Sequence, residues 1–398
     1  MGETLKNKRL IALFLLSILS VLTGGLLVPI EMRFLNEISH NSSLSSYAFA
    51  ISTIASMLGA IIISQIANRF GRDKPLKFLL IFNIFVPILY SSIYSILQAY
   101  GIKFAWAFSL AGVGTIAGAL IQQEVSLLKN YEGVLFGILY SLESAAGALG
   151  AILSGFIADK FGLTSIFYCV FIISILQLLI ISVCFGFKNK NIVHVKFEKK
   201  GNLIDGAKFI WMNNELRSRF ILITAYGISW DTKAILYPLV IFQIAMSNTL
   251  TGAILGTQGI VAMIVLPYIG KLVDRVGYSK IISFGYAILG LAILFLSLAP
   301  KLWMVWLAVS LVAVGEACSN GPAMSTLEVK NIPENLRNSV IALHRIYSNI
   351  IGVAATLLIG LFLSNNNPQK ALIFVALSIF FAMLLAQGVC KEKDKTIA

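Results

Sequence analysis

The chain has 398 residues, of which 58% are hydrophobic and only 12% are charged. A mean hydropathy of +0.86 excludes a soluble globular domain, in which about a quarter of the residues carry charge. The net charge of +13 raises nucleic-acid binding as an alternative, which only the placement of the basic residues can decide.

Twelve apolar segments follow one another along the chain, each long enough to cross about 30 Å of hydrocarbon at ~1.5 Å per residue. Each is predicted to be a helix, because hydrocarbon leaves the backbone no partner outside its own segment. The first is too long for a cleaved signal peptide. The predicted spans cover residues 10–30, 47–67, 76–97, 104–126, 133–157, 164–187, 219–243, 248–270, 280–299, 302–325, 338–363 and 371–389.

The basic residues indicate the topology of these spans. With both termini in the cytoplasm, 24 of the 31 lysines and arginines fall on the cytoplasmic side, which is the positive-inside bias of membrane proteins. We therefore expect a multi-pass protein of the cell membrane, in contact with lipid, with cytoplasmic termini and no nucleic-acid partner. Of the remaining basic residues, two lie within predicted spans, Lys233 and Arg345. The other five are predicted on the non-cytoplasmic side of the membrane: Arg33, Lys103, Lys160, Lys301 and Lys370.

One long polar stretch, residues 188–218, separates six spans from six others. It is rich in lysine and includes a mildly amphipathic segment, 203–216, that we expect to lie against anionic headgroups. The predicted organisation is an N-terminal six-helix bundle (1–187), this cytoplasmic linker and a C-terminal six-helix bundle (219–398).

Two copies of one short motif follow spans two and eight, with their first residues 206 positions apart. Glycines there let helix ends pack closely and a tight turn form. Further glycines repeat at a separation of 205, which supports an internal duplication with a solute site at the repeat interface. The first hinge is Ser64-Gln-Ile-Ala-Asn68-Arg69-Phe-Gly71-Arg72, the second is Gly270-Lys-Leu-Val-Asp274-Arg275-Val-Gly277, and the glycine pairs are Gly147 with Gly352 and Gly155 with Gly360.

This repeated hinge resembles the signature of the major facilitator superfamily of transporters, over essentially the whole chain. The resemblance implies an all-α membrane protein whose twelve transmembrane helices form two pseudo-symmetric six-helix bundles. It further implies a monomer that transports a small-molecule substrate. Such a transporter catalyses no covalent reaction and needs no cofactor. The alternative is a positively charged turn that only holds the topology.

In that superfamily the hinge Asp faces the N-terminal end of a helix in the opposite half, which favours the outward-open state. Asp274 is therefore expected near Gly133, at the start of span five. In the first hinge Asn68 offers span eleven, near Asn338, only a neutral amide, and Asp73 stands where a basic residue is usual.

Span five is rich in small residues, and its glycines resemble the antiporter motif of the superfamily. Alanine and serine replace other members of that motif, so close helix packing by Gly147, Gly150 and Gly155 is the alternative. Phe108 occupies the position in span four at which many proton-coupled exporters of the family carry an arginine.

Four charged residues inside spans are candidates for substrate binding or proton coupling, because each costs ~3 kcal/mol at a helix centre and usually faces a cavity or a partner. Asp231 and Glu316 are predicted near mid-membrane on spans seven and ten, which the resemblance places at the central cavity. Glu143 and Arg345 lie on spans five and eleven. The alternative is internal ion pairing, for example of Asp231 or Glu316 with Arg345. Lys233 lies about 200° from Asp231 around the helix, so these two cannot pair well.

Five aromatic residues could line an apolar cavity, and the alternative is that they face lipid or belong to the core: Phe34, Trp106, Tyr226, Trp230 and Tyr237. The histidines and cysteines show no metal-ligand spacing, and neither an enzyme nor a metal site is expected.

The predicted function is secondary active transport by alternating access, first as proton-coupled efflux of small amphipathic compounds. The alternative is uptake or facilitated exchange of a small nutrient, such as a sugar, an organic acid or an amino acid derivative. Such a carrier would show more hydrogen-bonding residues along spans one, four, seven and ten. A sensor or assembly protein is a third alternative, which would be expected to carry a soluble domain.

Overall fold

The computed structural model describes residues 8–126, 132–185, 203–320, 323–324, 332–364 and 367–396. At some positions within helices, including 68 and 274, it describes the backbone alone. Fourteen helices make up nearly all of these ranges, which confirms the prediction of an all-α fold. They are α1 (Lys8–Leu27), α2 (Glu31–Ser39), α3 (Ser42–Phe70), α4 (Asp73–Ser91), α5 (Ile96–Ser126), α6 (Glu132–Phe161), α7 (Ser165–Phe185), α8 (Leu203–Met212), α9 (Asn214–Ala245), α10 (Asn248–Val276), α11 (Tyr278–Ser297), α12 (Leu302–Asn320), α13 (Glu334–Leu363) and α14 (Pro368–Thr396).

Within the described ranges, eleven of these helices are long and apolar enough to cross a membrane. They coincide with eleven of the twelve predicted spans. The remaining span, predicted at 219–243, lies in α9, which has 32 residues and is therefore long enough. Charged residues such as Asp231 and Lys233 make α9 less hydrophobic than the other eleven helices. Its length is therefore sufficient for a membrane span, but its hydropathy is low for one.

Two helix boundaries differ from the predicted ones. The first span, predicted to end at residue 30, ends at Leu27, and a separate helix, α2, begins at the charged residue Glu31. The amphipathic segment predicted at 203–216 is divided at Asn213, whose Oδ1 accepts hydrogen bonds from the backbone N–H groups of Glu215 (3.0 Å) and Leu216 (3.3 Å). A side chain that satisfies these free donors starts a helix, so α9 begins there.

The described helices divide into two compact units. The first unit holds α1–α7 together with residues 245–259, so the beginning of α10 belongs to it. The second unit holds α8, α9 up to residue 244, and the described residues from 260 onward. The helix α10 thus starts in one unit and continues in the other.

Each unit is built on close helix packing. In the first, side chains from α1, α4 and α5 form a buried cluster that includes Leu13, Leu16, Leu80 and Ile116. In the second, α11 and α12 touch through their backbones at Gly315, where an added Cβ would lie 2.8 Å from the amide nitrogen of Leu289. Small residues are the usual means of such approach where no water is present to drive association.

Both hinge turns depend on a glycine. Gly71 follows α3 with φ 83° and ψ 161°, and Gly277 follows α10 with φ 92° and ψ 142°. Residues with a side chain essentially do not adopt these angles, so the backbone geometry explains why both copies of the hinge end in glycine.

Candidate functional site

The candidate Asp231 lies near the middle of α9, where α9 crosses α13. The backbones approach closely at Gly227, since a Cβ added there would lie 2.6 Å from the carbonyl oxygen of Ser348. One turn further along both helices, the partly buried carboxylate of Asp231 lies against Gly352. Within the described residues, no hydrogen bond or ion pair to this carboxylate is found. Asp231 is therefore a carboxylate that packs on helix backbone.

Glu316 on α12 has a different environment. The ammonium of Lys233 on α9 lies 2.9 and 3.0 Å from its two carboxylate oxygens, and the side chains are only 17% and 18% exposed. The same ammonium lies 5.2 Å from the ring centroid of Trp230, a cation–π distance. Internal pairing, weighed for Glu316 with Arg345, is thus realised with Lys233, while the Arg345 side chain is exposed.

The candidate Glu143 lies in the first unit, on α6. Its Oε1 accepts a hydrogen bond from the hydroxyl of Ser17 on α1, at 2.5 Å. One turn along α1, Ser20 accepts a hydrogen bond from Nε2 of Gln177 on α7, at 3.0 Å. These contacts tie three helices together and give one oxygen of the Glu143 carboxylate a hydrogen-bond donor from within the unit. The four candidates therefore fall into two groups, with Asp231, Glu316 and Arg345 in the second unit.

The aromatic candidates lie in both units. Phe34 and Trp106 are buried in a cluster of rings in the first unit, where the ring centroids of Trp106 and Tyr90 are 5.5 Å apart, and Tyr237 is buried in the second. The ring centroids of Tyr226 and Trp230 are 5.6 Å apart in the second unit, where Trp230 is exposed. Three of the five candidates are therefore buried core residues, and Trp230 lies beside the ammonium of Lys233.

The first hinge is held by a network on one end of the first unit. Arg72 donates from Nη1 to Oε1 of Gln123 on α5, at 3.0 Å, and to the carbonyl of Ala119, at 3.3 Å. Asp73 pairs with Arg9 of α1 at 3.4 Å, and Arg9 also lies 3.3 Å from Glu124. The acidic residue that departs from the family pattern therefore has a basic partner on α1.

The remaining hinge residues are placed by their helices. Arg69 is exposed at the end of α3, and Gly270 and Arg275 lie in the last turns of α10, where Arg275 is also exposed. The structure describes only the backbone at Asn68, Gly133, Asp274 and Asn338. The expected contact of Asp274 with span five stays a prediction.

The small residues of α6 face two different helices. An added Cβ on Gly150 would lie 2.5 Å from the carbonyl oxygen of Leu22, and Gly147 packs beside Gly25, so both positions admit α1. Gly155 instead contacts the backbone of Asn248 at the start of α10. Gly150 and Gly155 thus lie where a side chain would separate two helices, whereas a Cβ added at Gly147 would meet only the Val21 side chain, at 3.3 Å.

Asp159, one turn beyond Gly155, caps the beginning of α10. Its carboxylate accepts hydrogen bonds from the backbone N–H groups of Asn248 (3.0 Å) and Thr249 (2.7 Å), from the Asn248 side chain (2.7 Å) and from the Ser247 hydroxyl (3.0 Å). A carboxylate at a helix N-terminus satisfies free donors and complements the helix dipole.

Two further polar contacts join α2 to its neighbours. Arg33 donates to Oδ1 of Asn248. Burial lowers the pKa of Arg33, and the carboxylates of Glu37 and Asp159 oppose this effect. Glu31 and Lys103 form a buried ion pair between α2 and α5. The opposite charges of Glu31 and Lys103 on the same predicted side of the membrane were the signal that the sequence offered for this pair.

The sequence profile of the Major Facilitator Superfamily matches residues 13–356, with a further match over 219–394. The multidrug resistance protein MdtG of Proteus mirabilis is 26% identical over 382 residues, which cover 92% of each chain. The tetracycline resistance protein, class H, of Pasteurella multocida is 23% identical over 420 residues and covers 98% of each chain. In structure, the nucleoside transporter NupG superposes with a TM-score of 0.78 over 96% of this chain and 99% of its own, at 12% identity, and so shares the fold.

Proposed function

The chain belongs to the Major Facilitator Superfamily, and from that premise we propose that it exports small amphipathic compounds across the cell membrane in exchange for protons. As a member of this family it is a multi-pass transporter of small molecules and not an enzyme. Relatives named for multidrug and tetracycline resistance support export as the direction.

The observation that carries proton coupling is the environment of Asp231. An exchanger needs a group that binds the proton and releases it when the substrate binds. Glu316 is paired with Lys233, and Glu143 accepts a hydrogen bond from Ser17. Asp231 is partly buried, and the described residues supply no cation to its carboxylate. A desolvated charge without a counter-charge is costly, so this carboxylate favours the binding of a proton or of a cationic substrate.

The test uses the purified full chain in liposomes with an imposed pH gradient. A growth screen of an efflux-deficient host against a panel of toxic compounds first supplies the transported compound. Asp231→Asn is then expected to abolish gradient-driven accumulation while downhill exchange persists, because the substituted chain retains the shape of the site and loses the titrating group. Unchanged accumulation by the Asp231→Asn variant would show that another group carries the proton.

Two control variants separate coupling from charge and from stability. Asp205→Asn removes an exposed carboxylate on α8 and is expected to transport like the unaltered chain. The double variant Lys233→Met with Glu316→Gln removes the ion pair without leaving an unpaired charge, and gradient-driven transport is expected to persist in it. Loss of coupling in that double variant would transfer the role to Glu316.

The alternative, uptake of a nutrient, is decided by sidedness. An exporter accumulates its substrate in everted membrane vesicles when the vesicle interior is acidic. An uptake carrier accumulates it in right-side-out vesicles when the exterior is acidic. We further propose a monomer with both termini in the cytoplasm, as the distribution of basic residues predicts. A cysteine introduced at either terminus tests the predicted orientation of the termini, through its modification by an impermeant thiol reagent in right-side-out and in everted vesicles.

A further inference from the structure

We propose that Gly352 is a positioning residue for proton coupling: its bare backbone on α13 provides the seat of the Asp231 carboxylate and so sets the orientation of that group. The functional part of this inference rests on the proposed role of Asp231. The structural part does not, and it can be tested separately.

The seat follows from the crossing of α9 and α13. At Gly227 the two backbones are in contact, because an added Cβ there would lie 2.6 Å from the carbonyl oxygen of Ser348. Four residues on, each helix returns to the same face. The pair that meets there is Asp231 and Gly352, and an added Cβ on Gly352 would overlap the Oδ2 atom of the carboxylate. The atoms that meet at this level are therefore a carboxylate and a glycine backbone.

The internal repeat shows what is particular about this position. Gly25 and Asp231 are 206 positions apart, and Gly147 and Gly352 are 205 apart. In the first unit Gly25 and Gly147 meet backbone to backbone where α1 crosses α6. In the second unit the same level of the crossing holds a carboxylate on one helix and keeps glycine on the other. The second half of the chain thus has a glycine on α13 opposite a charged side chain on α9, where the first half has two glycines.

A methyl group at position 352 would displace the carboxylate rather than the helices. The atom that it meets is the end of a flexible side chain, in contrast to the backbone carbonyl that opposes Gly227. In a helix the χ1 rotamer near +60° is rare, so an aspartate has essentially two orientations. Excluding the one in use swings the carboxylate by about 120° to the other. Gly352→Ala should therefore misplace the proton-binding group in a folded protein.

A double-mutant cycle on thermal unfolding of the full chain in detergent tests the seat without any substrate. In the Asp231→Ala background the carboxylate is gone and the nearest atom to the added methyl is the Cβ of residue 231, at 3.1 Å, so Gly352→Ala is expected to raise the unfolding midpoint by up to about 1–2 °C, since alanine is the better helix former. With Asp231 present the same substitution is expected to give no rise or a fall. Gly227→Ala is expected to lower the midpoint equally in both backgrounds. An equal effect of Gly352→Ala in both backgrounds would overturn the seat.

Transport in liposomes then tests the positioning role. Gly352→Ala is expected to lower gradient-driven accumulation at least tenfold, as Asp231→Asn does, and the double variant is expected to be no worse than either. Gly118→Ala, where the added methyl meets nothing within 4 Å, is the matched control. If Asp231→Asn abolishes accumulation and Gly352→Ala leaves it intact, the positioning role is wrong and the proposed function stands. If Asp231→Asn has no effect, the proposed function fails, while the cycle still decides the seat.

Discussion

Replacement of Asp159 is expected to release the first turn of α10 from the end of α6. The carboxylate accepts two backbone and two side-chain hydrogen bonds there, from Ser247, Asn248 and Thr249. Alanine removes all four bonds and the charge. Asparagine retains one acceptor oxygen and removes the charge, so its effect should be the smaller of the two.

The magnitude follows from the two contributions. Loss of a capping side chain costs about 1 kcal/mol, and a charge at an exposed helix N-terminus contributes about 0.3–1 kcal/mol. Asp159 is mostly exposed, so the lower part of the second range applies. We expect a local cost of about 1–2 kcal/mol for Asp159→Ala and about half of that for Asp159→Asn. A cost of 1–2 kcal/mol changes the local opening equilibrium about 5- to 30-fold.

Hydrogen–deuterium exchange measured by mass spectrometry reports this opening at the amides concerned. In Asp159→Ala, the peptide that contains Asn248 and Thr249 should exchange about 5- to 30-fold faster, because both amides lose their acceptor. Peptides of α12 should be unchanged. Asp205→Ala, an exposed change of the same chemistry on α8, should leave the α10 peptide as it is. Unaltered exchange at the start of α10 in Asp159→Ala would refute the capping account.

Three further outcomes are expected. Lys233→Met or Glu316→Gln alone should lower the free energy of unfolding by about 1–3 kcal/mol, less than the ~3–5 kcal/mol of a fully buried pair, because the side chains are 18% and 17% exposed. Gly71→Ala should cost about 1–3 kcal/mol, because a Cβ is strained at φ 83° and ψ 161°. Asn68→Asp should shift the conformational equilibrium toward the outward-open state, and Asp274→Asn should shift it away from that state, each by up to about fivefold. Distances between spin labels at the end of α3 and at the start of α13 measure these shifts.

Each of these outcomes has a control and a contradicting result. For the ion pair, the double variant should recover most of the lost stability, and additive losses would argue against a direct interaction. For the hinge glycine, Gly118→Ala should raise the unfolding midpoint by about 1–2 °C instead of lowering it, since space for a methyl exists there and alanine is the better helix former. For the hinge charges, a shift of both variants in the same direction would show that the motif holds topology and does not bias the transport cycle.

Features that arise within one segment of the chain could be predicted from the sequence alone. Apolar length predicted the spans, because hydrocarbon leaves a backbone no structure but a helix. The closing glycines of both hinges were located from the repeated motif, and their positive φ angles explain why glycine stands there. The one span that fell short in hydropathy, α9, is the span whose charges had already made it a candidate for function.

The contacts between side chains of different helices are seen only in the tertiary structure. The partner of Glu316 is Lys233, 83 residues away, and the helix that Asp159 caps begins 89 residues later in the chain. Neither pair follows from the sequence, because a membrane helix is apolar around most of its circumference and its hydrophobic pattern does not define the face that it turns to a neighbour. That face is set where glycines such as Gly352 allow two helices to approach, and the same approach determines which charges are paired and which, like Asp231, are left against backbone.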